Sequence, residues 1–278
     1  MPDLSILLLG DVERTEFREA EACLRRCGNV HRFAEAAAAA TALAEGQFAA
    51  DAIVLAQAFP GQFSHQAVDR LRRLAPLARV LGLLGSWCEG EMRTGSPWPA
   101  VVRTYWHQWP ARCERKLQRL TEGQGSSWAL PVTATEEERL LADATAAWPR
   151  QHGLIVIHCR CAEIHDWLSA SCRSRGFSTV WQRPPNSARI EGAAAALFDG
   201  SCLCDEEADQ LHRLTEVLRP APVIALLDFP RVEDRCRALA AGAAAVLSKP
   251  LAVDDLFWEL EENISGCRRR LQSPIVCQ

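Results

Sequence analysis

The sequence predicts an α/β protein with parallel sheets, arranged as two domains. Three observations carry this expectation. Each half opens on a short, wholly apolar run of buried-strand type, followed by an amphipathic helical pattern. Apolar runs and helical patterns then alternate along both halves, as in a parallel sheet covered on both faces. A stretch of linker composition separates the halves, and 278 residues suffice for two cores of ordinary size.

The first half starts with the strand "LSILLLGD", then a helix carrying Phe17 and Leu24 with Gly28 as its stop. Next come "VHRF", an alanine-rich helix near Ala34–Leu43, and the strand "ADAIVLA". A helix bearing Val68, Leu71 and Leu74 and the strand "ARVLGLLG" complete this part. The second half starts with "GLIVIHC" and a helix carrying Ile164, Trp167, Leu168 and Cys172, with Gly176 as its stop. It continues through "STVW", "AAAALFD" and a helix from Asp205 to Leu218, whose acidic start "DEEAD" suits a helix N-terminus. The strand "PVIALL", a helix at Val232–Ala241, the strand "AAVLS" and a closing helix with Val253, Leu256, Phe257 and Leu260 follow. The pattern approaches five βα units. Between the halves, "TEGQGSSWALPVTAT" has linker composition, and Thr135-x-x-Glu138 reads as a capping box opening a short helix. The expected division is a first domain over 1–121, a linker with a short helix over 122–150, and a second domain over 151–278.

Composition excludes several classes. Apolar residues are 48% and charged residues 24%, as in ordinary globular proteins, and the net charge of −4 argues against a nucleic-acid or membrane-surface binder. The run Arg268–Arg270 reads as a solvated helix end. No apolar run reaches the ~18 residues of a membrane span, and "MPDLSILLLGD" lacks a basic leader and cleavage site, so a cytoplasmic protein is expected. Twelve dispersed cysteines then read as reduced and mostly buried. No G-x-S-x-G elbow, G-x-x-x-x-G-K-[ST] loop or G-x-G-x-x-G loop occurs, so no catalytic residues and no enzymatic activity are expected.

One residue choice stands out. The chain has two lysines among 31 basic residues, and one of them, Lys249, sits between the apolar run "AVLS" and Pro250. The segment "PVIALLDFPRVEDRCRALAAGAAAVLSKPL" (222–251) resembles the C-terminal half of response-regulator receiver domains, in the order strand, helix ending Ala-Gly-Ala, strand, Lys-Pro. The resemblance is clear over about 153–265 and weaker over about 4–121. It implies two CheY-like (flavodoxin-like) doubly wound domains, each a five-stranded parallel sheet in the order 2-1-3-4-5 with its site at the strand C-terminal ends.

Carried over position by position, the resemblance puts the phosphoacceptor at Asp199, 50 residues before Lys249. Lys249 takes the place of the lysine that pairs with the acyl phosphate, and Pro250 that of the family's cis-proline. Other positions depart from the pattern. His158-Cys159 stand where an acidic pair would hold Mg²⁺, and Leu227 stands where a hydroxyl would end the fourth strand. Magnesium wants several hard oxygen ligands, so Mg²⁺ is not expected and efficient phosphotransfer is lost. Two readings stay open: a structural Asp199–Lys249 ion pair, or an atypical receiver phosphorylated at Asp199 in a phosphorelay. In the first half, the corresponding positions hold Gly10-Asp11, Ala56 and Trp109-Pro110, which cannot form the site. "QRPPNSARIEG" also leaves too little chain for a full second helix in the second half.

Two further groupings lie outside the family pattern. Cys159-x-Cys161, preceded by His158, lies in the first loop of the second domain, and Cys202-x-Cys204 in the third. In a 2-1-3 sheet these loops are neighbours, so the five side chains can converge as a zinc site or a redox-active thiol cluster. The stretch 85–110 gathers Trp87, Trp98, Tyr105, Trp106 and Trp109, with Gly, Ser and Pro content that favours an ordered loop over a helix. Aromatic anchors of this kind serve a partner surface or an interdomain contact. The functional expectation is a signal-transduction protein of tandem pseudo-receiver domains acting by protein contacts. Its partner would be a signalling protein or histidine kinase, with self-association left open.

Overall fold

The computed structural model describes residues 4–272, except 100, 123–126, 129, 132 and 145–149. The chain divides into two compact units, Met1–Ala146 and Ala147–Gln278.

In the first unit, β1 (Leu4–Leu9), β2 (Gly28–Phe33), β3 (Ala52–Gln57), β4 (Arg79–Leu84) and β5 (Val102–Tyr105) alternate with α1 (Arg18–Cys27), α2 (Ala36–Ala44) and α3 (His65–Leu74). Between β4 and β5, the described residues of this Gly- and Pro-rich stretch form a 3-10 turn at Ser86–Cys88 and a single helical turn, α4 (Glu91–Thr94), in place of a longer helix. The unit closes with α5 (Trp109–Thr121) and α6 (Glu136–Ala144). All strand pairs are parallel, in the order β2-β1-β3-β4-β5. Every residue of β3 is buried, which is why this strand reads as an unbroken apolar run.

The second unit contains β6 (Leu154–His158), α7 (Ala162–Ser174), β7 (Ser178–Gln182), β8 (Ala193–Asp199), α8 (Asp205–Leu218), β9 (Val223–Asp228), α9 (Val232–Ala240), β10 (Ala245–Lys249) and α10 (Val253–Gln272). Its sheet order, β7-β6-β8-β9-β10, is again 2-1-3-4-5 counted within the unit. Both units therefore have the doubly wound flavodoxin-like topology. No helix separates β7 from β8; Pro184 and Pro185 occupy that connection.

Of the two glycines expected to stop helices, one does so and the other does not. Gly176 closes α7 with φ +97, in the region where glycine is favoured. Gly28 is extended and begins β2, paired with Leu4, so α1 runs directly into a strand without a left-handed cap. The Thr135/Glu138 capping box is formed: Glu138 N–H donates to Thr135 Oγ1 (3.2 Å) and Thr135 N–H to the Glu138 carboxylate (2.8 Å). The segment read as a linker is bound to the body of the first unit, through Arg79 Nη1 to Leu130 O (3.2 Å) and Lys116 Nζ to Ser127 Oγ (3.0 Å), and to itself through Arg139 Nη1 to Ser127 O (3.0 Å). The side chains of Arg268–Arg270 lie outside the described residues. No helix among the described residues is long and apolar enough to cross a membrane.

Candidate functional site

The C-terminal ends of β8, β9 and β10 bring three charged residues together. Each is the last residue of an otherwise apolar strand: Asp199 after "AAAALF", Asp228 after "VIALL" and Lys249 after "AVLS". The register aligns Asp199 with Leu226 and Lys249 with Asp228, so Lys249 must reach across β9 to meet Asp199. It does so: Nζ lies 2.7 Å from Asp199 Oδ1 and 3.1 Å from Asp228 Oδ1. The Asp199 side chain is only 11% exposed, whereas that of Asp228 is 54% exposed. Burial pulls the Lys249 pKa down, but the Asp199 hydrogen bond and charge, helped by Asp228, outweigh it and hold the pKa above the ordinary 10.5. The Lys249–Pro250 peptide is cis.

The loop after β8 is fixed to β9 by Gly200 N–H to Leu226 O (2.9 Å) and Asp228 N–H to Ser201 O (3.0 Å). Glu207 in the first turn of α8 accepts from both the N–H and the hydroxyl of Ser201, each at 3.0 Å. Asp199, Asp228 and Lys249 open onto a cleft of about 320 Å³, walled also by Arg160, Ile164 and Pro184. Arg160 is itself paired with Glu206 at 2.9 Å.

The positions that would complete a metal-dependent phosphotransfer site do something else. His158 is buried and stacks on Phe198, with ring centroids 5.5 Å apart. Its ring nitrogens make no hydrogen bond of good geometry, Gln182 being the side chain that interacts with them, and burial outweighs that interaction to lower its pKa below 6.5. Cys159 is buried; its thiol, raised to about 11 by burial and then by the Asp199 charge, donates to Cys161 O (3.4 Å). A neutral thiol thus stands where a carboxylate oxygen would be needed. Leu227 is buried in the apolar core with Leu203, Leu211 and Ala225, where it presents no donor to the cleft.

The expected convergence of His158, Cys159, Cys161, Cys202 and Cys204 does not occur. Among the described residues, no group of three or more His, Cys, Asp or Glu side chains is placed to hold a metal ion. Side-chain direction is the reason: His158 and Cys159 turn into the core, Cys161 donates outward to Glu163 (2.7 Å), and Cys202 and Cys204 are exposed.

In the first unit, Ala56 is the last residue but one of β3, pairs with Leu83 of β4 and offers no acceptor oxygen in its side chain. Gly10, with φ +123, lets β1 turn tightly there: a Cβ on it would lie 2.5 Å from Ala56 O. Trp109 does not end a strand as Lys249 does, since β5 ends at Tyr105. Trp109-Pro110 instead starts α5, a place that favours proline. At this edge Trp106 Nε1 donates to Ser86 Oγ (2.9 Å). Ser86 in turn donates through its N–H and hydroxyl to the buried Glu16 carboxylate, at 3.1 and 3.2 Å.

The aromatic stretch is corrected as well. Trp98, Trp106 and Trp109 are buried and so offer no exposed surface to a partner; Trp98 Nε1 donates to Phe63 O at 2.9 Å. Tyr105 is partly buried and stacks on His107. Trp87 alone of the five is open to solvent, at 77% exposure. Sequence reasoning missed Asp228 and Glu16. A polar residue ending an apolar strand was the signal for Asp228, and Glu16 carried none.

No protein-family model and no curated protein sequence matches the chain. Solved structures similar to it are CheY-like response-regulator receiver domains. One is a receiver domain protein from Methanospirillum hungatei (20% identity, 43% of this chain, 99% of that chain, TM-score 0.37). Another is a CheY-like response regulator from Mesorhizobium loti (13% identity, 41% of this chain, 99% of that chain, TM-score 0.32). A third is the linker and phosphoreceiver C-terminus of RcsC from E. coli (15% identity, 98% of this chain, 96% of that chain, TM-score 0.34). The fold assignment rests on the two sheet orders themselves.

Proposed function

We propose that the chain is a signal-transduction protein of two receiver-fold units that acts through contacts with a protein partner, a signalling protein or histidine kinase, without metal-dependent phosphotransfer of its own. The observation that carries this reading is the Lys249 ammonium held between the Asp199 and Asp228 carboxylates. A divalent ion at these carboxylates has to compete with that ammonium. The adjacent positions, His158 and Cys159, supply a buried imidazole and a protonated thiol, neither a ligand that Mg²⁺ favours. The lysine's role is then to neutralise carboxylates that close the strand ends, and Leu227 removes the hydroxyl through which a phosphoryl group would pull on β9. The first unit has Ala56 in place of the acceptor, and Glu16, Ser86 and Trp106 bonded to one another at the same edge.

The test is thermal unfolding of the full chain over a millimolar Mg²⁺ titration, beside Asp199→Asn. The reading predicts superimposable curves with and without Mg²⁺ for both proteins. A Mg²⁺-dependent rise in Tm that Asp199→Asn removes would restore a metal site and favour an atypical receiver phosphorylated at Asp199.

A further inference from the structure

Two thiols meet across α1 and α5 of the first unit. Cys27, the last residue of α1, is half-buried, and Cys113, in the second turn of α5, has no exposed surface. The two side chains face each other where α1 packs along α5, within reach of each other. The neighbouring residues bracket the pair: Arg26 forms a two-armed ion pair with Glu114, Nε to Oε1 and Nη2 to Oε2, both at 3.2 Å. A third thiol, Cys23, lies one turn earlier on α1 and is buried, with its sulfur accepting from Arg26 Nη2 at 3.2 Å. The cluster lies at the edge of the sheet opposite to Ala56 and Trp106, because Gly28 pairs with the first residue of β1.

These thiols are chemically unequal. The Cys113 side chain lowers the Cys27 pKa below its ordinary 9.0, against burial and the Glu114 charge. Cys113 lies well above 9.0, chiefly through burial. Cys23 is raised to about 11, also through burial. Cys27 is thus the best nucleophile of the three and the only one with part of its surface in solvent. A disulfide requires the two sulfurs to close to ~2.05 Å, and the Arg26–Glu114 pair holds α1 and α5 together beside them.

We propose that Cys27 and Cys113 are a modification site, a dithiol that a hydroperoxide converts to a disulfide tying α1 to α5. The Cys27 thiolate attacks the outer oxygen of the hydroperoxide, the O–O bond breaks, and the alkoxide or hydroxide leaves as alcohol or water after taking up a proton. Cys27 is now a sulfenic acid. The Cys113 sulfur attacks the Cys27 sulfur, and the hydroxyl leaves as water with the Cys113 thiol proton. In sum, two thiols and one hydroperoxide give a disulfide, an alcohol (or water) and water.

The test treats the reduced full chain with substoichiometric hydrogen peroxide, blocks the remaining thiols by alkylation and maps the digest by mass. The expected product is a cross-linked peptide pair containing Cys27 and Cys113, lighter by two hydrogens than its separate parts. Cys27→Ser should leave Cys113 fully alkylatable after denaturation, because no oxidant reaches it directly. Cys113→Ser should stop at a Cys27 sulfenic acid that a 1,3-diketone traps. If that buried substitution prevents folding, the map of the unsubstituted protein still decides. A link between Cys23 and Cys113, Cys113 oxidation in the Cys27→Ser protein, or oxidation confined to Cys161, Cys202 and Cys204 would overturn the assignment.

Discussion

Lys249 on β10 and Asp199 on β8 meet at 2.7 Å although β9 runs between their strands. Only a long cation spans that gap, and its compact ammonium also lies 3.1 Å from a second carboxylate, that of Asp228, to which it can donate on the way. The planar guanidinium of arginine does not present donors to both in the same manner. This accounts for a lysine in a chain whose 31 basic residues are otherwise almost all arginine.

The two carboxylates should differ in their worth. In a double-mutant cycle, Lys249→Met and Asp199→Asn should couple by roughly 1–3 kcal/mol, because Asp199 is largely buried and is left uncompensated without its partner. Lys249→Met and Asp228→Asn should couple by under about 0.5 kcal/mol, since Asp228 is more than half exposed and screened by solvent. Chemical denaturation of the six proteins measures both.

The ion pair also sets an alkaline limit. The folded Lys249 pKa lies above its ordinary 10.5, so its contribution to stability is fully present below pH 10.5 and is lost as pH rises through the raised value. The stability difference between the unsubstituted protein and Lys249→Met should stay flat across neutral pH and shrink only in the strongly alkaline range.

His158 gives the opposite dependence. Its folded pKa is below 6.5, so protonation favours the unfolded chain and stability falls as pH drops through 6.5. His158→Phe keeps a ring against Phe198 and removes two buried nitrogens whose interaction with Gln182 falls short of good hydrogen-bond geometry. The substitution should therefore be neutral or stabilising by about 1 kcal/mol at pH 7 and should flatten the acid-side decline, as read from Tm between pH 5 and 7.

The tryptophans should separate cleanly. Trp98→Ala removes a buried ring and its hydrogen bond to Phe63 O, and should cost about 3–5 kcal/mol in denaturant unfolding. Trp87→Ala should change stability by less than about 0.5 kcal/mol, because that ring is in solvent.

The sheets and the Asp199–Lys249 pair were legible because both follow from order along the chain. Buried parallel strands write unbroken apolar runs, and a polar residue that ends such a run lands at the sheet edge. Side-chain direction was not legible. His158 and Cys159 look like ligands in a loop until the end of β6 turns them inward, and a tryptophan reads the same whether it fills a core or awaits a partner. The proline of Trp109-Pro110 suggested the Lys-Pro position, but it marks the start of α5, beyond the end of β5 at Tyr105. Asp228 sits one residue beyond the position the family pattern draws attention to. Cys27 and Cys113 meet only because α1 and α5 pack together, a contact that no local pattern encodes.

The central claim is that Lys249 serves carboxylates of the chain itself. It is tested most directly by intact mass after incubation with a small-molecule acyl phosphodonor and Mg²⁺, beside Asp199→Ala. The account predicts the unmodified mass for both proteins. A single phosphoryl addition to the unsubstituted chain that is absent from Asp199→Ala would contradict it and make the second unit a working receiver.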